Sequence, residues 1–150
     1  MEARVSTIQD LRAVFKNPAQ RCLDEIKYAG FSFVEAKSIF KGLRAAGTLN
    51  SLVADGEVIG LIGWAPDEVL GQPIIGTYFM GLESFFQPQI PSVLFGRRFM
   101  RKLQAETGNL AMVSMSYSDH PQTERWYRLM GYRLAETFGI QRNFVLDPKV

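Results

Sequence analysis

The chain has 150 residues, a formal net charge of +2, a hydrophobic fraction of 47% and a single cysteine, Cys22. This length and composition suit a folded domain and exclude a disordered chain, so we expect residues 1–150 to form one domain. The net charge is too small to indicate binding to a nucleic acid. A single cysteine indicates neither an internal disulfide nor a metal cluster, and no apolar run approaches the ~20 residues that a membrane span needs. We therefore expect a cytoplasmic protein that acts without a metal, a membrane or a nucleic acid.

The first third of the sequence predicts a short strand followed by three helices. Residues 3–6 favour the strand, and a hydroxyl side chain just before Ile8 can cap the first helix. Apolar residues at helical spacing predict the second helix over 18–29 and the third over 33–46. A glycine follows each of these two helices, as is typical of a helix C-terminus.

The middle of the sequence changes from helical to strand periodicity. Residues 49–54 and 58–64 flank Asp55-Gly56, a pair that supplies the positive φ angles of a tight hairpin turn. Residues 74–82 form a third apolar run, rich in β-branched and aromatic side chains. Residues 65–73, which include two prolines and a glycine, are predicted to be a longer connection between strands.

The last part of the sequence predicts two helices and three strands around proline- and glycine-rich breaks. We expect a loop over 87–92, a helix capped by Ser92 and ending near 107, a strand over 110–116, a helix from Asp119 to Met130, and strands over 132–137 and 140–145. The whole order is strand, helices, three strands, helix, strand, helix, two strands. It predicts an α/β (α+β) fold with a mixed, mostly antiparallel central sheet flanked by helices.

Residues 126–132 read W-Y-R-L-M-G-Y, at the end of the last predicted helix. Tyr127, Gly131 and Tyr132 match the Tyr-x-x-x-Gly-Phe/Tyr pattern of the Gcn5-related N-acetyltransferase superfamily, and the hairpin followed by V-I-G-L-I-G-W looks like its second and third strands. The resemblance covers about residues 3–145. It implies that fold, acetyl-CoA as cosubstrate, and transfer of an acetyl group to a primary amine of a small molecule or a protein.

The motif S-Y-S-D-H-P and the absence of glycine from one loop are similar to members of this superfamily that bacteriophages or prophages encode. In the superfamily that loop reads Gln/Arg-x-x-Gly-x-Gly/Ala and cradles phosphate. Here Gln87 matches the first position, whereas Ile90 and Ser92 replace the glycines. Glycine gives a chain the freedom and the clearance to turn its amides towards a phosphate, so this departure matters.

A helix N-terminus still presents unpaired N–H groups and partial positive charge. We therefore predict that coenzyme A binds at this loop and the helix after it, through Gln87, Ile90, Ser92, Val93, Leu94, Arg97 and Tyr127. Arg97 and Arg101 share one helix face, which would meet the 3′-phosphate of coenzyme A. The alternative is an ordinary solvated face.

The resemblance implies that Tyr127 is the general acid that protonates the leaving thiolate. Two residues are candidates for the base: Glu83, at the end of an apolar strand, and His120, the only histidine. Each has an alternative reading. Tyr127 could close the core, Glu83 could be a solvated carboxylate, and His120 could stand beside Asp119 acting as a helix cap.

A second class of function stays open beside the enzyme. The same fold could serve as a non-catalytic module for assembly or partner binding, for example in a phage virion. The sequence does not define the acyl acceptor. It does not define the oligomeric state either, and a homodimer is one possibility.

Overall fold

The computed structural model describes all residues, 1–150, as a succession of seven strands, five helices and one 3₁₀ helix. The strands are β1 Glu2–Val5, β2 Leu49–Ala54, β3 Glu57–Val69, β4 Gln72–Gly81, β5 Met112–Ser116, β6 Arg133–Phe138 and β7 Gln141–Leu146. The helices are α1 Ile8–Lys16, α2 Gln20–Tyr28, α3 Phe33–Ala45, α4 Ser92–Glu106 and α5 Thr123–Leu129, and the 3₁₀ helix is Glu83–Phe86. No helix is long and apolar enough to cross a membrane.

The strands form one mixed sheet in the order β1-β2-β3-β4-β5-β7-β6. Antiparallel ladders join β1 to β2, β2 to β3, β5 to β7 and β6 to β7. Strands β4 and β5 are parallel, with Ile75 opposite Met112 and Gly76 opposite Val113. The mixed, mostly antiparallel α/β fold predicted from the sequence is therefore confirmed.

The chain divides into two compact units, one of residues 1–64 and 78–92 and the other of residues 65–77 and 93–150. In the first unit, α1 packs into the core through Phe15. The centroid of its ring lies 5.6 Å from that of Phe33 and 5.4 Å from that of Phe40, and both contacts are edge-on. In the second unit, Met112 and Phe144 are fully buried where β5 and β7 pair. Each unit thus has an apolar centre of its own.

A buried carboxylate ties the start of α1 to the sheet of the first unit. Thr7 and Asp10 form a capping box, and the Asp10 carboxylate also accepts hydrogen bonds from Arg4 at 2.5 and 3.0 Å and from Ser51 Oγ at 2.8 Å. Burial alone would raise the pKa of Asp10. The hydrogen bonds from Arg4, the Thr7 amide and Ser51 outweigh burial, so the pKa is lowered and the carboxylate stays charged.

The only thiol lies inside the first unit. Cys22 projects from α2 and is 6% exposed. Burial raises its pKa to about 12, because a thiolate there would lose its hydration. The residue therefore behaves as a small apolar core side chain rather than as a nucleophile.

The prediction of a long connection over residues 65–73 is wrong. Strand β3 continues to Val69, β4 begins at Gln72, and Leu70 and Gly71 alone make the turn. Pro66 is tolerated because the β2–β3 ladder stops at Gly63, so its missing N–H is not needed on that side. Proline disrupts a strand only where the ladder requires its donor.

Two predicted helix starts also differ from the structure. Asp119 does not cap α5, which begins at Thr123 and has Gln122 at its N-cap without a side-chain hydrogen bond. Ser92 is the first residue of α4 rather than its cap. Both errors arise because a polar residue before a helix is a common signal whose position is uncertain by one or more residues.

Candidate functional site

The C-terminus of α5 explains the spacing of the W-Y-R-L-M-G-Y stretch. The Tyr132 amide donates to the Tyr127 carbonyl at 3.0 Å and the Gly131 amide donates to the Arg128 carbonyl at 3.0 Å, which is the Schellman pattern of helix termination. Gly131 has φ of 101°, a value that glycine adopts without strain. The cap therefore explains the glycine, and the residue after it contributes its backbone amide.

The Tyr127 side chain is half-buried against aromatic neighbours in the second unit. Its ring stacks on Phe144 of β7, with centroids 4.3 Å apart and planes 9° from parallel, and it meets Tyr132 edge-on at 5.3 Å. The Trp126 ring meets it edge-on, with centroids 5.1 Å apart. These contacts hold the ring in one orientation, so the packing role and a role for the phenol group are compatible.

Arg97 of α4 supports the helix that carries Tyr127. Its guanidinium donates to the Leu129 carbonyl at 2.5 Å, at the C-terminal end of α5. A cation at that end satisfies an unpaired carbonyl and complements the helix dipole. Arg101 is also engaged, donating to Gln104 Oε1 at 2.7 Å and to the Asp147 carbonyl at 2.8 Å. Both arginines of the predicted basic face are thus hydrogen-bonded within the chain, whereas the neighbouring Arg98 is exposed.

The loop before α4 uses some of its own amides. The Ile90 amide donates to the Gln87 carbonyl at 3.0 Å and the Ser92 amide donates to the Ile90 carbonyl at 2.8 Å. Two residues that were predicted to bind coenzyme A therefore direct their amides towards the loop itself. Val93 and Leu94 lie in the first turn of α4, where a helix leaves its N–H groups without partners inside the helix.

Glu83 has a structural partner in the first unit. Its carboxylate accepts a hydrogen bond from the Gln20 amide at 3.2 Å, at the first residue of α2. Ala19 at the N-cap of α2 supplies no side-chain hydrogen bond, so Glu83 provides the acceptor that the cap lacks. This contact favours the structural reading of Glu83 over the role of general base.

His120 is fixed by a local turn. The Gln122 amide donates to His120 Nδ1 at 3.2 Å, and the His120 amide donates to Ser118 Oγ at 3.1 Å. A neutral imidazole whose Nδ1 accepts a hydrogen bond carries its proton on Nε2. In this geometry His120 presents a hydrogen-bond donor to its surroundings, not the lone pair that a base needs.

The pair Phe85 and Phe86 belongs to an aromatic cluster of the first unit. Their rings lie 5.1 Å apart, and Phe79 meets them at 4.7 and 6.1 Å. The Arg21 guanidinium covers Phe86, 4.0 Å from the ring centroid. Packing explains both rings.

The predicted site residues divide between the two units. Glu83, Gln87, Ile90 and Ser92 belong to the first, whereas Val93, Leu94, Arg97, His120 and Tyr127 belong to the second. Within the second unit, α4 and α5 are joined directly through Arg97 and Leu129. Sequence reasoning missed that cap, because nothing local to Arg97 points to a carbonyl 32 residues away.

Comparisons with known proteins identify the fold. No protein-family model matches the sequence, and no curated protein matches it. Among solved structures, the chain is similar to an N-acetyltransferase from Staphylococcus aureus, with a TM-score of 0.67 and 12% identity over 99% of this chain and 98% of the other. The PaiA N-acetyltransferase of Thermoplasma acidophilum, solved with coenzyme A, gives 0.65 and 15% over 99% and 98%.

A third match is a phosphinothricin acetyltransferase from Sinorhizobium meliloti, solved in complex with acetyl-CoA, with a TM-score of 0.65 and 14% identity over 98% of this chain and 87% of the other. The chain therefore has the fold of the Gcn5-related N-acetyltransferase superfamily. At such low identity the likeness concerns the fold, and activity has to be argued from the site.

Proposed function

We propose that the protein is an acetyl-CoA-dependent N-acetyltransferase that acts on a primary amine. The observation that carries the proposal is the fold, which matches acetyltransferase structures over 95–99% of the chain. The position of Tyr127 supports it, because a phenol held by stacked rings at the end of α5 is a fixed group for acid catalysis. Acetyl-CoA would supply the acetyl group, and its thiolate would be the leaving group.

The residues present fit coenzyme A in part. The first turn of α4 offers the amides of Val93 and Leu94, and Leu94 is 54% exposed, so this end of the helix is accessible. The helix dipole and the exposed Arg98 add positive charge for phosphate. The loop residues Ile90 and Ser92 contribute less than predicted, because their amides are bonded within the loop.

The proton transfers divide between Tyr127 and water. A phenol keeps its proton at neutral pH and can give it to a leaving sulfur as charge develops there. With Glu83 bonded to the start of α2 and His120 presenting an N–H group, no side chain is assigned as the base. An amine that binds neutral attacks the thioester carbonyl, and its nitrogen then releases a proton to water. The phenolate that remains after Tyr127 protonates the leaving thiolate regains a proton from water. Tyr127 is thus the one side chain to which we assign a step.

Isothermal titration with acetyl-CoA tests binding, and Tyr127→Phe tests the step. The phenylalanine keeps the stack on Phe144, so the fold should persist while turnover with a responsive amine falls by about 10²–10⁴-fold. Tyr28→Phe is the matched control, since this tyrosine is exposed on α2 and should leave turnover unchanged. Unchanged turnover in Tyr127→Phe would reject the assigned role, and no binding at about millimolar ligand, near −4 kcal/mol, would reject the proposal.

A non-catalytic module is the second candidate, and the loop before α4 favours it. A loop that lacks glycine and bonds its own amides is poorly built for a pyrophosphate. On this reading the fold serves assembly or partner binding, and acetyl-CoA neither binds nor turns over. An origin in a bacteriophage or prophage stays a prediction, and the localisation in a cytoplasm or a virion stays one with it.

A further inference from the structure

The helix that carries Tyr127 is too short to keep its geometry alone. α5 has seven residues, and Gln122 at its N-cap makes no side-chain hydrogen bond. An isolated helix shorter than about 12 residues is marginal in water, because few hydrogen bonds offset its nucleation. The position of the Tyr127 phenol therefore depends on contacts between α5 and the rest of the second unit.

Arg97 makes one of these contacts at the C-terminal end of α5. Its guanidinium donates to the Leu129 carbonyl at 2.5 Å. The amide of the next residue, Met130, donates to the Tyr127 carbonyl at 3.1 Å, and the Tyr132 amide donates to the same carbonyl at 3.0 Å. Arg97 thus holds the turn of backbone that closes on Tyr127.

Gly96 makes a second contact between the same two helices. A Cβ added to Gly96 would lie 2.4 Å from the Met130 Sδ, a distance that Cβ atoms essentially never show. Met130 is 4% exposed, so its side chain has little space into which it could move. Glycine is less favourable than alanine inside a helix, and the close approach of Met130 explains its presence in α4.

The α4–α5 contact, which we define as the pairs Arg97–Leu129 and Gly96–Met130, lies next to the proposed cofactor site. Val93 precedes Arg97 by four residues, which is about one helical turn. The contact therefore connects the helix start that offers amides to coenzyme A with the helix that carries the phenol.

We infer that Arg97 and Gly96 are positioning residues for Tyr127, and that Arg97 acts through the Leu129 carbonyl rather than on coenzyme A. The inference rests on the proposed function, because it concerns the step assigned to Tyr127. Proton transfer needs the phenol within hydrogen-bond reach of the leaving sulfur, and a displacement of about 1 Å can lower a rate about a hundredfold. Acetyl-CoA affinity should change little, because the amides of Val93 and Leu94 belong to α4 itself.

Arg97→Met tests the contact, since methionine keeps an unbranched stem and removes the donor. We expect kcat to fall about tenfold or more, with the Kd of acetyl-CoA within about twofold of the wild type. Hydrogen exchange of the Gly131 and Tyr132 amides should become about threefold faster or more relative to the amides of β5, because the end of α5 loses a charge-assisted hydrogen bond.

Two further substitutions on α4 complete this comparison. Arg97→Lys keeps a cation that can donate to a carbonyl, so it should recover most of the lost turnover. Lys102→Met is the matched control: it removes another exposed cation of α4, one paired with Glu106, and should change neither kcat, Kd nor the exchange rates.

Gly96→Ala tests the second pair through the sign of its effect on stability. Helix propensity alone would make this variant more stable. Because the Met130 Sδ occupies the place of the new methyl group, the variant should instead have a lower urea midpoint and a lower kcat. Gly42→Ala in α3 is the control, since nothing lies within 4 Å of its added Cβ, and its urea midpoint should rise.

The results separate this inference from the proposed function. A wild-type chain that neither binds nor turns over acetyl-CoA rejects the proposed function and the positioning role with it. In an active wild type, an unchanged kcat or unchanged Gly131 exchange in Arg97→Met overturns the inference alone. A Kd raised about tenfold at unchanged kcat also overturns it, because Arg97 would then bind coenzyme A itself. A Gly96→Ala chain more stable than the wild type overturns the role of Gly96.

Discussion

Substitution of Glu83 separates its two readings, as a cap of α2 and as a catalytic base. Glu83→Ala removes the acceptor of the Gln20 amide, and Ala19 cannot replace it. Loss of a helix N-cap costs about 0.5–2 kcal/mol, and an acid at a helix N-terminus contributes about 0.3–1 kcal/mol through the dipole. The hydrogen bond is solvent-exposed, which weakens its charge component, so we expect a loss of about 1 kcal/mol.

The assay is urea denaturation followed by circular dichroism, together with consumption of acetyl-CoA in the presence of primary amines. A loss of about 1 kcal/mol corresponds to a fall in Tm of about 2–4 °C for a chain of this size. Glu83→Gln keeps an acceptor oxygen and should retain most of the stability and all of the turnover. Glu57→Ala removes an exposed carboxylate at the start of β3 and is the control.

The opposite pattern would refute this reasoning. If Glu83→Ala is as stable as the wild type while Glu83→Gln loses about a hundredfold or more in turnover, the carboxylate acts on the substrate and not on α2. The same result would show that the hydrogen bond to Gln20 has no energetic weight.

Two further predictions concern stability. Asp10 has a lowered pKa in the folded chain, so its contribution to the free energy of unfolding is fully present above about pH 4 and is lost as the pH falls below that value. In Asp10→Asn, the free energy of unfolding should therefore change less with pH on the acid side than in the wild type. Parallel pH profiles for the two chains would contradict this prediction. Gln104 is 1% exposed, and its Nε2 donates to the carbonyls of Leu110 and Leu146. Gln104→Leu should cost about 2–4 kcal/mol in urea denaturation because these two carbonyls lose their side-chain donor, whereas Ala105→Ser on the exposed side should cost under about 0.5 kcal/mol.

Local sequence signals predicted the parts of the fold that depend on local physics. Asp55-Gly56 identified its hairpin because the pair itself favours positive φ, and the last helix ends at Gly131 for the same reason. The turn at Leu70 was missed because leucine carries no turn preference and the flanking prolines suggested a break. Whether a proline breaks a strand depends on which edge needs its N–H group, and that is decided by the neighbouring strands.

The place of Tyr127 at the end of the last helix was predictable from the sequence, but the contacts of the candidate side chains were not. Tyr127 lies at the end of α5 as expected, and its stack on Phe144 joins residues far apart in the chain. The roles suggested for Glu83 and His120 rested on residue type and on position along the chain. Their hydrogen bonds come from Gln20, 63 residues away, and from the Gln122 amide two residues on, and neither contact follows from composition or spacing.

Because Cys22 is buried, its thiol reports on local unfolding of the first unit. A reagent such as a thiol-reactive dye can label the folded chain only after α2 moves aside, so the labelling rate measures how often the first unit opens. Since no other sulfhydryl competes, the signal is unambiguous without mutagenesis. The same enclosure protects the chain from covalent cross-linking by air oxidation during storage.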